Sequence, residues 1–177
     1  MAGRRPPQPA KLSDARSAPS VRAATEADAE AIAAIHNQGI GERSATFETR
    51  LKSAEPIAER IAHWGLYLVA EEEGEVIGFA KAGPYEDRSH YYEGIGEATI
   101  FVERDHREHG AGRALLEALV EAARRRGLHK LTAKIIAGNG ASIRLFESSG
   151  FRIVGTHERH GQLEGEWLDV VVLERSL

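Results

Sequence analysis

The chain has no cysteine, which excludes disulfides, thiolate zinc sites and a cysteine nucleophile. It has no apolar run long enough to span a membrane, and its first residues lack the apolar core of a signal peptide. It also lacks a strong charge excess. The formal net charge of -4 gives no electrostatic footprint for nucleic acid or an anionic membrane. The histidines show no His-x-x-x-His spacing with a carboxylate partner on an expected helix, so no metal site is expected. Internal repeats are absent. What remains is ordinary globular composition, 42% hydrophobic and 28% charged over 177 residues, enough for one domain with a sizeable core. A soluble cytoplasmic enzyme is the default expectation.

Residues 1–19 show no sustained periodicity and carry several prolines, and read as a disordered tail. Residues 20–177 read as a single domain. Thr25 and Asp28 mark a helix start, and Ser53 opens a second helix with Pro56 in its first turn. From Leu66 the apolar period changes. Tyr67–Ala70 and Val76–Ala80 read as strands joined by a turn at Glu71-Glu72-Glu73-Gly74, a charge run expected to be solvated. The expected order is β-α-α-β-β-β-α-β-α-β-β.

The most informative stretch is Arg107-Glu108-His109-Gly110-Ala111-Gly112-Arg113. A strand-like run, Ala98-Thr99-Ile100-Phe101-Val102, precedes it. A helix follows with Ala111, Leu115, Ala118, Leu119 and Ala122 on one stripe and Gly127 as its stop. Strand, glycine loop and helix start form an anion cradle, because glycines let backbone N–H groups converge and the helix start adds partial positive charge. Arg107 and Arg113 add full charges, and a pyrophosphate is the expected guest. A tight turn is the alternative. The loop is not GxxxxGK[ST], since no Lys-Ser or Lys-Thr follows, and it lacks the third glycine of GxGxxG.

Arg-x-x-Gly-x-Gly after a hydrophobic strand resembles the coenzyme A loop of the GNAT superfamily of N-acetyltransferases. Asn139, Ser142 and a helix running to Gly150-Phe151 resemble its other signature. The resemblance implies an α/β (α+β) fold, a mixed and mostly antiparallel twisted sheet flanked by helices, with splayed central strands that admit acetyl-CoA. It implies backbone pairing of the pantetheine arm along Ile100, Phe101 and Val102. The pyrophosphate would lie on the amides from Glu108 through His109, Gly110, Ala111 and Gly112 to Arg113, with Asn139 and Ser142 facing the arm.

Acetyl transfer needs an unprotonated amine and hence a base. Glu97 is the candidate, at the start of the strand, where partial burial would raise its pKa. A solvated edge carboxylate is the other reading. Relatives commonly carry Tyr where Phe146 stands, so a water, His157 or His160 is left to protonate the thiolate, if anything must.

Ile35–Ile40, Ala45–Thr49, Ala82–Tyr85, Glu158–Gly161 and Trp167–Val171 narrow the likeness to the phosphinothricin and arsinothricin N-acetyltransferase group. The resemblance implies acetylation of the α-amino group of a glutamate-like amino acid such as arsinothricin, phosphinothricin or methionine sulfoximine. Arg88 matches the group's substrate-loop arginine, and Phe47, Tyr91 and Tyr92 are candidate pocket walls; surface, core or dimer-contact roles stay open for all four. Glu86 stands where phosphinothricin-type relatives have a basic residue. A homodimer is implied. The alternatives are another small amine, a protein lysine, or a non-catalytic acyl-CoA sensor.

Overall fold

The computed structural model describes residues 18–85 and 90–177. Most of the expected tail, and Arg88 with its neighbours Glu86, Asp87 and Ser89, lie outside the described residues. Seven strands form one sheet: β1 (Ser20–Ala23), β2 (Leu66–Glu72), β3 (Glu75–Pro84), β4 (Ile95–Val102), β5 (Lys130–Ile136), β6 (Arg152–Leu163) and β7 (Glu166–Ser176). Their spatial order is β1-β2-β3-β4-β5-β7-β6. Every pairing is antiparallel except β4 with β5. Helices α1 (Ala29–Glu42), α2 (Ala54–Trp64), α3 (Ala111–Arg125) and α4 (Gly140–Ser148) complete the expected order.

The helices divide between the two sheet faces. On one face, Leu115, Leu116 and Leu119 of α3 and Phe146 of α4 pack on Leu68, Ala80, Ala98, Leu131 and Leu173. On the other, Ile32 and Ile35 of α1 and Ile57 of α2 pack on Val69, Phe79 and Phe101. Strand alternation explains this, because Phe101 faces α1 while its neighbours Ile100 and Val102 face α3.

The sheet opens at the parallel β4–β5 junction. Residues Ile95, Gly96 and Glu97 pair with Lys130, Leu131 and Thr132, and pairing stops there. Ala98–Val102 therefore runs beside β5 without a ladder. The bonds Tyr85 N–H to Ile95 O and Glu103 N–H to Ile77 O set the alternation on the β3 side. By that alternation the odd-numbered residues of β4 bond to β3, and the peptide groups of Ala98, Ile100 and Val102 turn into the gap.

Two expectations need correction. The glutamate run at the β2–β3 turn is not all solvated: the Glu72 side chain is only 9% exposed and lies 3.4 Å from His106 Nε2. The terminal strands, whose apolar segments Phe151–Thr156 and Trp167–Leu173 read as a shorter antiparallel pair, are also longer than expected, because β6 continues through two register shifts to Leu163 and β7 runs to Ser176.

Candidate active site

A cleft of about 380 Å³ runs along the opening. It is lined by Ile100, Phe101 and Val102 of β4, by Arg107, Glu108, Gly110, Gly112 and Arg113 of the glycine loop, and by Asn139, Ala141, Ser142 and Leu145 around α4. Glu42, Ser44 and Ala45, at and after the end of α1, close the other side, so the cleft connects the two sheet faces. These last three residues were not legible as site residues, since nothing in a helix end and its loop marks them for a ligand.

The loop has the backbone of an anion cradle. Glu108 and Gly110 adopt left-handed conformations (φ 66 and 89), which turn successive amides toward one side. Gly110 caps α3, whose first-turn amides have no intrahelical acceptor. A side chain at Gly110 would be strained by its φ alone. The Arg107 guanidinium donates to the Val102 carbonyl at 3.0 Å and pairs with Glu42 at 2.9 Å. Arg113 pairs with Glu117 at 2.8 Å, one helical turn along. Both cations thus line the cleft while leaning on carboxylates. Ala111 is 1% exposed and belongs to the core, and neither it nor His109 lines the cleft.

The Asn139 side chain accepts from the Ser142 amide at 3.1 Å, capping α4 and fixing both residues at the cleft wall. Phe146 is 2% exposed and packs edge-on against Phe151, so this position carries neither a hydroxyl nor an opening to the cleft. His157 and His160 stack on each other on exposed β6.

Glu97 occupies the last paired rung before the gap, opposite Thr132, on the α1/α2 face. Its carboxylate is 34% exposed and lies 3.1 Å from Lys134 Nζ. Glu97 is thus partly buried, and it shares that setting with a lysine. Tyr85 covers that pair, its ring centre 5.4 Å from Lys134 Nζ, and Tyr92 packs edge-on against Tyr85. Tyr91 is 80% exposed. Phe47 reaches across to β6, where its ring occupies the space that a side chain at Gly161 would need. Asn37 holds the intervening segment in place by bonding both backbone groups of Lys52.

Two more titratable groups stand on this face. Lys81 of β3 lies opposite Thr99, and burial, reinforced by Arg60, holds its pKa below the usual lysine range. His36 of α1 packs 4.7 Å from Phe101; burial lowers its pKa, and its Nδ1 has no hydrogen-bond partner. A lone lysine inside Val76–Gly83 was the signal available for Lys81. Among the described residues no group of His, Asp or Glu side chains is arranged to hold a metal ion, and no helix is long and apolar enough to cross a membrane.

A gap between two parallel strands, with an anion cradle at one end and a carboxylate at the other, suits an elongated phosphate-bearing thioester. The acetyltransferase (GNAT) domain model matches residues 21–172. The chain belongs to the GNAT acetyltransferase family. It is 35% identical over 175 residues to an L-methionine sulfoximine/L-methionine sulfone acetyltransferase of Pseudomonas aeruginosa, covering 89% of this chain and 94% of that one. The crystal structure of a GNAT superfamily phosphinothricin acetyltransferase from Sinorhizobium meliloti, in complex with acetyl-CoA, superposes with a TM-score of 0.84 at 31% identity, covering 91% of this chain and 89% of that one. A ribosomal-protein-alanine N-acetyltransferase from Brucella melitensis is 38% identical with a TM-score of 0.84, covering 89% and 99%. This GNAT enzyme is an acetyl-CoA-dependent N-acetyltransferase.

Proposed function

We propose that this enzyme acetylates the α-amino group of a glutamate-like amino acid such as methionine sulfoximine, phosphinothricin or arsinothricin. The observation that carries the reading is the position of Glu97. It stands where the β4–β5 ladder ends, so a thioester lying in the gap and an amine on the α1/α2 face meet beside its carboxylate. The acceptors named for the Pseudomonas and Sinorhizobium relatives support the amino-acid class.

Acetyl-CoA supplies the activated acyl group; the chain binds it, orients it and moves protons. The amides from Glu108 to Arg113, with the Arg107 and Arg113 cations, take the pyrophosphate. The gap-facing peptide group of Ile100 and the Val102 N–H align the pantetheine arm as a further strand would, while the Val102 carbonyl stays with Arg107, and an N–H of the same edge donates to the thioester oxygen as negative charge develops. Glu97 takes a proton from the acceptor's ammonium, freeing the amine lone pair to attack the thioester carbon, with Lys134 fixing the carboxylate's position. A thiolate is a good leaving group, and Phe146 adds no acid to help it. Phe47 and Tyr85, backed by Tyr92, wall the acceptor.

Release of CoA thiol from acetyl-CoA, with methionine sulfone, phosphinothricin, arsinothricin and glutamate as acceptors, tests the reading. Turnover with these amino acids supports it, and tight acetyl-CoA binding without turnover on any of them overturns it. The second reading is a protein acceptor, favoured by the name of the Brucella relative. It expects turnover on peptide N-termini in the same assay.

The homodimer belongs to this proposal. β6 is exposed along nearly its whole length, and Ile153, Val154 and Trp167 present apolar surface on it and on β7. Light scattering of the eluted protein checks it, and a monomer at micromolar concentration would remove it.

A further inference from the structure

Lys81 is out of place by its own strand's rules. β3 runs through the middle of the sheet, between β2 and β4, and its neighbours Ile77, Phe79, Ala80 and Ala82 are buried. A cation there loses hydration unless something replaces it. Among the described residues no carboxylate comes within 4 Å of the Lys81 ammonium, which instead sits over the Tyr67 ring, centred 5.9 Å from Nζ. That is a weak substitute for water or an anion.

The charges around it do not balance either. Arg60 from α2, Glu48 and Lys52 from the segment between α1 and α2, and Glu97 from β4 all act on the Lys81 ammonium. Both carboxylates are already engaged. Glu48 pairs with Lys52 at 2.6 Å, and Glu97 pairs with Lys134 at 3.1 Å. The Arg60 guanidinium reaches the Tyr67 hydroxyl, a neutral partner. Among the described residues that act on Lys81, cations therefore outnumber anions, and Lys81 and Arg60 are the surplus.

Register then fixes where that surplus lies. Gly83 is opposite Glu97 and Lys81 is opposite Thr99, so Lys81 and Glu97 are diagonal neighbours on one face of an antiparallel pair. Such positions lie ~7–8 Å apart. An amine beside Glu97 thus has a half-buried ammonium within reach of another part of the same small molecule.

We propose that Lys81 is an acceptor-binding residue, whose ammonium takes an oxyanionic group, carboxylate or phosphinate-like, of the amine substrate held beside Glu97. The inference rests on the amino-acid reading given above. It adds the residue that selects acidic acceptors, and it places that selection on the central sheet rather than on a surface loop. Binding an anion replaces hydration that partial burial takes from Lys81, which favours an acidic acceptor.

The test compares wild type with Lys81→Met on three acceptors: phosphinothricin with two acidic groups, methionine sulfone with one, and methionine sulfone amide with none. Expected for Lys81→Met is a KM about tenfold higher for an acidic acceptor, the loss of one charge-assisted hydrogen bond, with kcat within about threefold. Acetyl-CoA affinity, measured by titration, stays unchanged. A rise confined to phosphinothricin places the side-chain oxyanion on Lys81. A rise that extends to methionine sulfone but spares its amide places the α-carboxylate there.

Unchanged KM on all three acceptors, or a fall in kcat alone, overturns the proposal. Lys81→Arg keeps the charge and is expected to hold KM within about threefold of wild type. If the Met variant does not fold, Lys81→Gln against Lys81→Arg makes the same comparison. Wild type inactive on every acceptor would overturn the amino-acid reading and Lys81 with it. That result differs from active wild type with an unmoved KM, which removes Lys81 alone.

Discussion

At the β1 edge of the sheet, Arg22 donates to both oxygens of Asp28 at 2.8 Å and to Glu71 at 2.6 Å. The backbone N–H and hydroxyl of Thr25 complete the Asp28 shell. Near the sheet centre, Lys81 has no such partner among the described residues, and the carboxylates that act on it are held by other lysines. Both clusters combine basic and acidic side chains on a strand with those on the helix or loop above it. The first is closed: every charge finds its complement inside the chain, and what it holds together is the start of α1. The second is open, with cation to spare beside the cleft. Charge on the sheet that is satisfied internally is architecture, whereas half-buried charge left over is a place for a ligand.

The largest effect should come from removing the carboxylate on the open side. Glu97→Gln is expected to lower kcat/KM about 100-fold at neutral pH, the scale of a positioned base. The defect should shrink as pH rises, because the acceptor amine then loses its proton to water. Rates of wild type and variant measured from acid to alkaline pH check this. Parallel profiles with less than about a threefold gap would remove Glu97 as the base.

Breaking the closed cluster should cost stability and leave catalysis alone. Hydrogen bonds from Arg22 hold the Asp28 pKa at about 2, against 3.8 for a free side chain. A depressed carboxylate contributes stability that is complete above its unfolded value and is lost as pH falls toward its folded one. The loss should therefore run from about pH 5 down to about 2. Because Arg22 is 39% exposed, solvent weakens the pair, and roughly 1–2 kcal/mol at neutral pH is expected from Asp28→Asn. Urea melts at neutral and acid pH measure it: the variant should be weaker at pH 7 and close to wild type near pH 2, with unchanged KM values. A changed KM would show that the knot is not purely structural.

Between the two cases stands Arg107, a cation that lines the cleft and yet has Glu42 as a partner. Arg107→Gln is expected to weaken acetyl-CoA binding about fivefold, less than a free cation on a phosphate would cost, because Glu42 already takes part of its charge. Calorimetric titration checks it, and a loss of stability without a loss of affinity would move Arg107 to the closed class.

The order of elements, the glycine loop and the strand leading into it were legible because each depends on local pattern. Apolar periodicity gives strand or helix, and Gly110 with Gly112 marks a helix start that needs a left-handed turn. What was not legible depends on register. Nothing along the chain says that Lys81 lies opposite Thr99, that Lys134 comes to Glu97 from a strand more than thirty residues on, or that Tyr85 rather than Tyr91 covers the pair. Glu97 and its partial burial are legible from its place beside the loop, but the ion pair that shares that setting is not. Phe47 was named from a resemblance; its contact at Gly161 comes from β6 bending back through a register shift.

The smallest effect sharpens the contrast most finely. Arg113 and Glu117 form an exposed i,i+4 pair on α3, with side chains 65% and 56% exposed. Such pairs contribute about 0.3–0.5 kcal/mol, so Glu117→Gln should leave the melting curve nearly unmoved. Arg113 also lines the cleft, however, and losing its carboxylate turns a shared cation into a free one. Acetyl-CoA affinity should then rise by about twofold at low ionic strength and return to the wild-type value at high salt, where exposed charges are screened. A change in stability with no gain in affinity would place Arg113 with the closed cluster. A salt-dependent gain at constant stability would show that even a surface pair is divided between holding the helix and holding the ligand, with the balance set by which partner is the better anion.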